Sequence, residues 1–191
     1  MTELVLASKS PRRQALLKLL QVPFCILTAE TSEDFEPSLL PKEIVTELAV
    51  RKGKAVFDCY PTETASKIIL SADTIVVLNG EVLNKPSDEA HAFEMLSKLQ
   101  GKTHEVFTGF ALLKGDRIVV EVERTAVTFA PMSADEIRTY IQVAKPFDKA
   151  GAYGIQDDIG ACFIERIDGC YYNVVGLPLA KLYKTLKQFN A

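Results

Sequence analysis

Short, nearly unbroken apolar runs alternate along the chain with segments whose apolar residues recur three and four apart. Residues 4–7, 24–27 and 68–72 are runs of the first kind and predict strands, residues 4–7 a buried one. The second kind begins at Pro11. There Ser10 can cap a helix, and proline lacks only a donor that the first turn leaves unused. Leu16, Leu17, Leu19 and Leu20 predict its buried stripe, and Pro23 ends it. Pro41 opens a second helix with Ile44, Val45, Leu48 and Ala49 inward and Arg51, Lys52 and Lys54 further along.

The strand over 68–72 ends at Asp73, and residues 74–78 either continue it or start its partner. Asn79-Gly80, flanked by apolar residues, predicts a two-residue hairpin turn, because both positions call for positive φ. Ser87 predicts the cap of a helix to Gln100, with Phe93, Leu96 and Leu99 inward and Gly101 as its stop. Residues 106–113 and 118–129 predict long strands joined at Lys114-Gly115-Asp116. Ser133 and Glu136 form a capping box before Ile137, Tyr140 and Ile141. A loop over 148–156 follows Pro146. Next come a hairpin of 162–167 and 171–174 around Asp168-Gly169, and a last helix from Pro178 carrying Leu182, Leu186 and Phe189. Helices interleaved with hairpins predict an α/β domain with a mixed sheet and flanking helices, a single domain of 1–191.

Composition narrows the class. The 191 residues are 48% apolar and 25% charged, enough for one core without disulfide staples. The net charge of −3 offers no support for a nucleic-acid partner. The average hides a division: residues 1–22 carry +3 and residues 23–191 carry −6. Cys25, Cys59, Cys162 and Cys170 form no C-x-x-C pair and read as scattered buried thiols of a reducing compartment. No apolar run reaches the roughly 18 residues of a membrane span, and the first one is too short for a secretion signal. These features predict a cytoplasmic protein with no membrane partner.

Several familiar chemistries are absent. Gly101-Lys102-Thr103 resembles the end of a phosphate-binding loop, but Leu96 stands where that motif needs glycine, and a helix precedes it. Gly151 and Gly154 do not make a dinucleotide fingerprint. With His91 and His104 the only histidines, neither near a nucleophile-elbow pattern, a Ser-His-Asp triad has no support.

What remains is rich in cations. Ser8-Lys9-Ser10-Pro11-Arg12-Arg13 lies between strand and helix, and its hydroxyls, guanidinium groups and helix N-terminus favour a polyanion. The plainer reading is a capped helix with two solvated arginines. Asp73 is either a turn residue or an acid aimed from a rigid strand, where it could bind a divalent ion or orient a water. Glu33, in an acidic segment, reads as a solvated loop acid, and Lys52 as a helix-surface cation. Lys52 or Lys85 would each suit phosphate as a point charge. Asp148-Lys149 precedes a glycine-spaced turn fit for a substrate loop. Gln156 ends that loop, and its amide can donate and accept toward a base edge or be an ordinary polar loop group. Cations with an acid and no strong nucleophile are equipment for water attack on a phosphoanhydride.

Residues 6–13, 71–74, 80–86, 148–156 and 175–178 together resemble the Maf family, in the family's order and across nearly the whole chain. The resemblance implies an α/β fold with a twisted sheet and a deep cleft, similar to the house-cleaning inosine-triphosphate pyrophosphatases. It also implies hydrolysis of nucleoside triphosphates to monophosphate and pyrophosphate with a divalent cation, Mg²⁺ or Mn²⁺, and an association with inhibition of septum formation. Pro11-Arg12-Arg13, Ala72-Asp73-Thr74 and Gly154-Ile155-Gln156 look like the dTTP/UTP-type members. By that likeness Asp73 is the proton acceptor, and Arg12, Thr74 and Gln156 govern base choice. Arg13, Lys52 and Lys85 hold the triphosphate, with Ser8, Ser10 and Lys149 as further substrate contacts and Glu33 with Asp73 as metal ligands. A homodimer is compatible with the resemblance. The alternative from another class is a nucleotide-binding regulator of division without turnover.

Overall fold

The computed structural model describes residues 3–157 and 160–189, so the ends of the expected 1–191 domain lie outside the described residues. Among the described residues, seven strands form one mixed sheet. β1 (Leu4–Leu6) runs parallel to β2 (Phe24–Ile26) and to β3 (Ile68–Leu78), and β3 pairs antiparallel with β4 (Glu81–Leu83). With β5 (Thr103–Lys114), β6 (Arg117–Phe129) and β7 (Ile164–Asp168), the order is β2-β1-β3-β5-β6-β7, β4 lying against β3. The mixed α/β sheet with helices read from the sequence is what the chain forms.

Contacts divide the chain into two compact units. The first comprises the residues up to Asp73, Thr108–Glu123 and the residues from Gly176; the second comprises Thr74–Phe107 and Arg124–Val175.

In the first unit, α1 (Pro11–Leu19) starts as expected, with Ser10 Oγ accepting from the Arg13 N–H. Its stripe is narrower than expected. Leu16 and Leu17 are buried, but Leu19 is 61% exposed, because the helix ends there and turns away through Gln21 at φ 54°. α2 (Pro41–Cys59) buries Ile44, Val45, Leu48, Ala49, Gly53 and Val56. Its start is stapled by Glu43, whose carboxylate accepts from the Leu40 N–H at 2.8 Å. One turn, α3 (Pro61–Thr64), follows. Val5, Ala7, Ala49, Val56, Ile69, Ala111 and Leu113 make the core between α2 and the strands. α7 (Leu179–Phe189) buries Leu182, Leu186 and Phe189 after Pro178.

In the second unit, α4 (Glu89–Leu99) is capped by Asp88 and not by Ser87: Asp88 Oδ1 accepts from the His91 N–H at 2.8 Å. α5 (Ala134–Ala144) carries the expected Ser133–Glu136 capping box. Its core gathers Val76, Leu83, Leu96, Leu99, Phe129, Ile137, Tyr140 and Tyr153.

The expected hairpin over 162–174 is a strand followed by a helix. β7 pairs antiparallel with β6, and residues Tyr171–Val175 form the short helix α6. Buried polar groups decide this. Asn173 Nδ2 donates to the Val106 carbonyl and to Thr125 Oγ1, each at 2.9 Å, and Thr125 Oγ1 accepts from the Cys170 N–H at 3.0 Å. A strand would point these groups elsewhere and leave them buried without partners. The cysteines also depart from expectation. All four are free, but Cys59 and Cys162 are exposed and Cys25 and Cys170 half-buried.

Candidate active site

Asp73 stands inside β3, where the first segment of the first unit ends, in a strand that continues to Leu78. A polar group only 7% exposed calls for a partner. Lys52, on α2, supplies it. Its ammonium donates to Asp73 Oδ1 at 2.5 Å and to Glu33 Oε1 at 2.7 Å, so one cation joins two carboxylates from distant parts of the chain. The two members of the inner pair are 17% and 10% exposed as side chains, whereas Glu33 is half exposed. Lys52 is therefore a member of the cluster and not the solvated helix cation of its plainer reading, and Glu33 is drawn out of the solvated-loop class with it.

Close packing of α2 on the sheet makes the reach possible. Ser71 shares a strand face with Asp73, and its hydroxyl donates to the Ala49 carbonyl at 2.6 Å. Gly53 has no Cβ where one would meet Ser71 Oγ at 2.7 Å and press on Leu113 Cδ1. A mid-helix glycine costs about 1 kcal/mol against alanine, which was a signal for such contact.

The β1–α1 junction holds Ser8, Ser10, Arg12 and Arg13. Ser8 is buried, and its Oγ accepts from the Ser10 N–H at 3.3 Å and from Arg13 Nη1 at 3.4 Å. Arg13 Nε donates to the Gly176 carbonyl at 2.9 Å, which braces the guanidinium. Burial pushes the Arg13 guanidinium below its ordinary value, Asp73 and Glu33 pull it up, and Arg12 pushes it down. An arginine remains charged under such shifts, so the junction is cationic and near enough to the acids to feel them. Arg12 is half-buried on the first turn of α1. Lys9 pairs at the surface with Glu30.

The other expected site residues, Thr74, Lys85, Lys149 and Gln156, belong to the second unit. Thr74 is half-buried on β3, while Lys85 and Gln156 are exposed. The loop carrying Lys149 and Gln156 is tied to the segment carrying Lys85, since the Gly151 N–H donates to the Asn84 carbonyl at 3.1 Å. Gly151, at φ 69°, approaches Val76 so closely that a Cβ would lie 3.0 Å from its methyl groups. Lys149 Nζ lies 3.2 Å from Asp148 and 3.5 Å from Asp157.

One residue of this loop's support was not visible in the sequence. Tyr140, which read only as a core position, donates from its hydroxyl to Asp157 Oδ2 at 2.7 Å and accepts from the buried Gly154 N–H at 3.0 Å. Burial first, and the Asp157 bond second, hold its phenol above the ordinary tyrosine range, so it stays a neutral donor. His104 is no part of a triad. It is buried, and burial lowers it to about 4; its Nε2 lies 2.7 Å from the Tyr153 hydroxyl.

Among the described residues no three His, Cys, Asp or Glu side chains converge to form a complete metal cage. Glu33 and Asp73 still fit a hard divalent cation. Both are oxygen donors already gathered on one positive centre, and Mg²⁺ is commonly held by one or two carboxylates with the rest supplied by substrate phosphate and water.

Fold and cluster together define an α/β protein with a mixed sheet and an acid–ammonium–acid centre beside a cationic helix start. The chain belongs to the Maf family: the model described as Maf-like protein matches residues 3–189. It is 50% identical to the dTTP/UTP pyrophosphatase of Chlorobaculum tepidum over 97% of this chain and 94% of the relative. It is 49% identical to the protein of that name from Symbiobacterium thermophilum over 100% of this chain and 95% of the relative. Among solved structures, the Ham1 protein of Staphylococcus aureus aligns over 67% of this chain and 72% of that one, at 20% identity and a TM-score of 0.43. Among the described residues no helix is long and apolar enough to cross a membrane.

Proposed function

We propose that this chain hydrolyses nucleoside triphosphates, dTTP and UTP foremost, to the monophosphate and pyrophosphate. The observation that carries the reading is the Lys52 ammonium joined to both Asp73 and Glu33, a charged centre whose inner pair is held on a strand and a helix. The name shared by relatives of about 50% identity along nearly the whole chain supports the substrate choice.

In this reading Asp73 accepts the proton of a water whose oxygen bonds to the α-phosphorus. The bond from that phosphorus to the bridging oxygen breaks, and pyrophosphate leaves with the electron pair. Lys52 keeps the Asp73 carboxylate oriented and offers positive charge to the phosphates. Arg13, braced by Ser8 and Gly176, adds a guanidinium toward phosphate oxygens, and Ser8 and Ser10 shape the helix start where an anion is favoured. Glu33 and Asp73 would hold Mg²⁺ or Mn²⁺, which neutralises charge on the triphosphate. Arg12 and Thr74, with Lys85, Lys149 and Gln156 of the second unit, take their roles in base choice and phosphate contact from the family motifs. The cytoplasm is the compartment of this chemistry, the whole chain is read as one catalytic domain, and a homodimer is compatible with the resemblance.

The test is incubation with dTTP, UTP, GTP and ATP in the presence of Mg²⁺, followed by product analysis. Monophosphate and pyrophosphate, formed fastest from dTTP and UTP, are the expected products. Orthophosphate with diphosphate, or nucleotide binding without products, would refute the reading.

A further inference from the structure

Glu33 is the least anchored member of the charged centre, since it lies in an irregular segment and is half exposed. A carboxylate on such a segment holds a fixed place only if its backbone is held. The neighbour of Lys52 does this. Arg51 Nη1 donates to the Ser32 carbonyl at 2.9 Å and to the Asp34 carbonyl at 2.7 Å, the carbonyls of the residues on either side of Glu33. Its other terminal nitrogen, Nη2, pairs with Glu47 one turn back on α2, which fixes the guanidinium. Arg51 and Lys52 therefore grip the same acid in two ways, one by its flanking backbone and one by its side chain. A free loop of this kind would spread Glu33 over many positions, at a backbone cost of about 1–2 kcal/mol for each residue that must be ordered when substrate arrives.

We infer that Arg51 is a positioning residue for Glu33, acting through the carbonyls of Ser32 and Asp34 to preorganise the acidic side of the centre. The inference rests on the proposed pyrophosphatase reading for its kinetic effect, but not for its structural one. Supporting residues of this kind commonly change activity or metal affinity by about 10- to 100-fold when removed.

The test combines two measurements on Arg51→Ala, Arg51→Lys, Glu33→Gln and the double variant Arg51→Ala/Glu33→Gln. Amide hydrogen exchange without nucleotide or metal reads the backbone over residues 30–36. Steady-state hydrolysis of dTTP reads kcat and KM. Arg51→Ala is expected to speed exchange over 30–36 and to lower kcat/KM by about 10- to 100-fold. Glu33→Gln should leave exchange there nearly unchanged, and the double variant should be no slower than Glu33→Gln alone, since the clamp then has nothing left to place. Arg51→Lys keeps the charge but has one nitrogen for three acceptors, and is expected to give the same changes in milder form. Unchanged exchange over 30–36 in both Arg51 variants would overturn the clamp. Kinetic losses that multiply in full with that of Glu33→Gln would overturn its action through Glu33. If the unmodified protein fails to hydrolyse dTTP, the functional reading falls, while the exchange result still decides whether Arg51 holds the segment.

Discussion

Ser71 and Asp73 lie on one face of β3, and each meets α2: Ser71 Oγ donates to the Ala49 carbonyl, and Asp73 takes the ammonium of Lys52, one helical turn further on. Strand spacing of two residues and helix spacing of three bring the second pair into register once the first is made. Gly53 permits the approach. Gly53→Ala would place a methyl group against Ser71 Oγ and the buried Leu113, and overpacking of this kind costs about 1–3 kcal/mol. The expected outcome is a lower melting temperature together with a fall in kcat, because Lys52 retreats with the helix. A melting shift with kcat unchanged would separate the packing from the chemistry and refute the link.

Asp73→Asn keeps the shape of the side chain and removes its basicity. Loss of a general base lowers turnover by about 10²- to 10⁴-fold. The fall is expected in kcat for dTTP, with KM altered much less. Lys52→Met should hurt in a different way, since it leaves a nearly buried carboxylate without its ammonium. Stability should drop by about 1–3 kcal/mol in a denaturant titration, and Lys52→Met/Asp73→Asn should recover part of that loss. Near-normal turnover by Asp73→Asn would remove it from the role of base.

Much of this architecture was legible beforehand because local chemistry and global position agree. Ser10-Pro11, Pro41 and Ser133–Glu136 start helices where caps and proline geometry say they should, and the long apolar run around Asp73 is the inner strand β3. Readings failed where a distant partner outweighed local pattern. Residues 171–174 look like a strand, yet Asn173 bonds to Val106 and Thr125, far earlier in the chain, and the segment is helical. Asp73 was visible as an odd acid in an apolar strand. Residue pattern alone did not distinguish Lys52 and Glu33 from solvated charges, and only the family resemblance singled them out, because their pairing depends on how α2 packs. Arg51 and Tyr140 gave no signal, since their roles consist of bonds to backbone groups whose positions only the fold supplies.

His104 supplies a pH dependence of stability. It is 1% exposed, packs edge-on against Phe129 and Tyr153, and titrates near 4 when folded against an ordinary 6.5. Burial disfavours its charged form, so between these values the unfolded chain binds a proton that the folded chain refuses. Stability from this residue is complete above about pH 6.5, declines as pH falls toward 4, and levels off below that, for a loss of roughly 3 kcal/mol. Urea midpoints measured from pH 7.5 to 4.5 should show the decline, and His104→Gln should flatten that part of the curve. An equal slope in His104→Gln would assign the decline to other groups.

Tyr140 ties the core of the second unit to the loop that carries Gln156. Its hydroxyl is the acceptor for the buried Gly154 N–H and the donor to Asp157, the residues on either side of Ile155-Gln156. Tyr140→Phe removes both bonds without opening a cavity. A buried N–H left without its acceptor costs about 1–3 kcal/mol, so stability should fall by that order. The loop that presents Gln156 should also sample more positions, raising KM for dTTP and UTP and narrowing their advantage over dCTP, while kcat changes less because Asp73 and Lys52 are held elsewhere. Gly154→Ala offers an independent check from the other side of the bond, since a Cβ there would lie 2.7 Å from the Asp157 carboxylate oxygens. Kinetic constants for the three nucleotides in each variant decide the matter. If stability falls and the dTTP-to-dCTP ratio of kcat/KM stays fixed, Tyr140 supports the fold alone; if the ratio shrinks in both variants, the hydroxyl holds the base-reading loop in place.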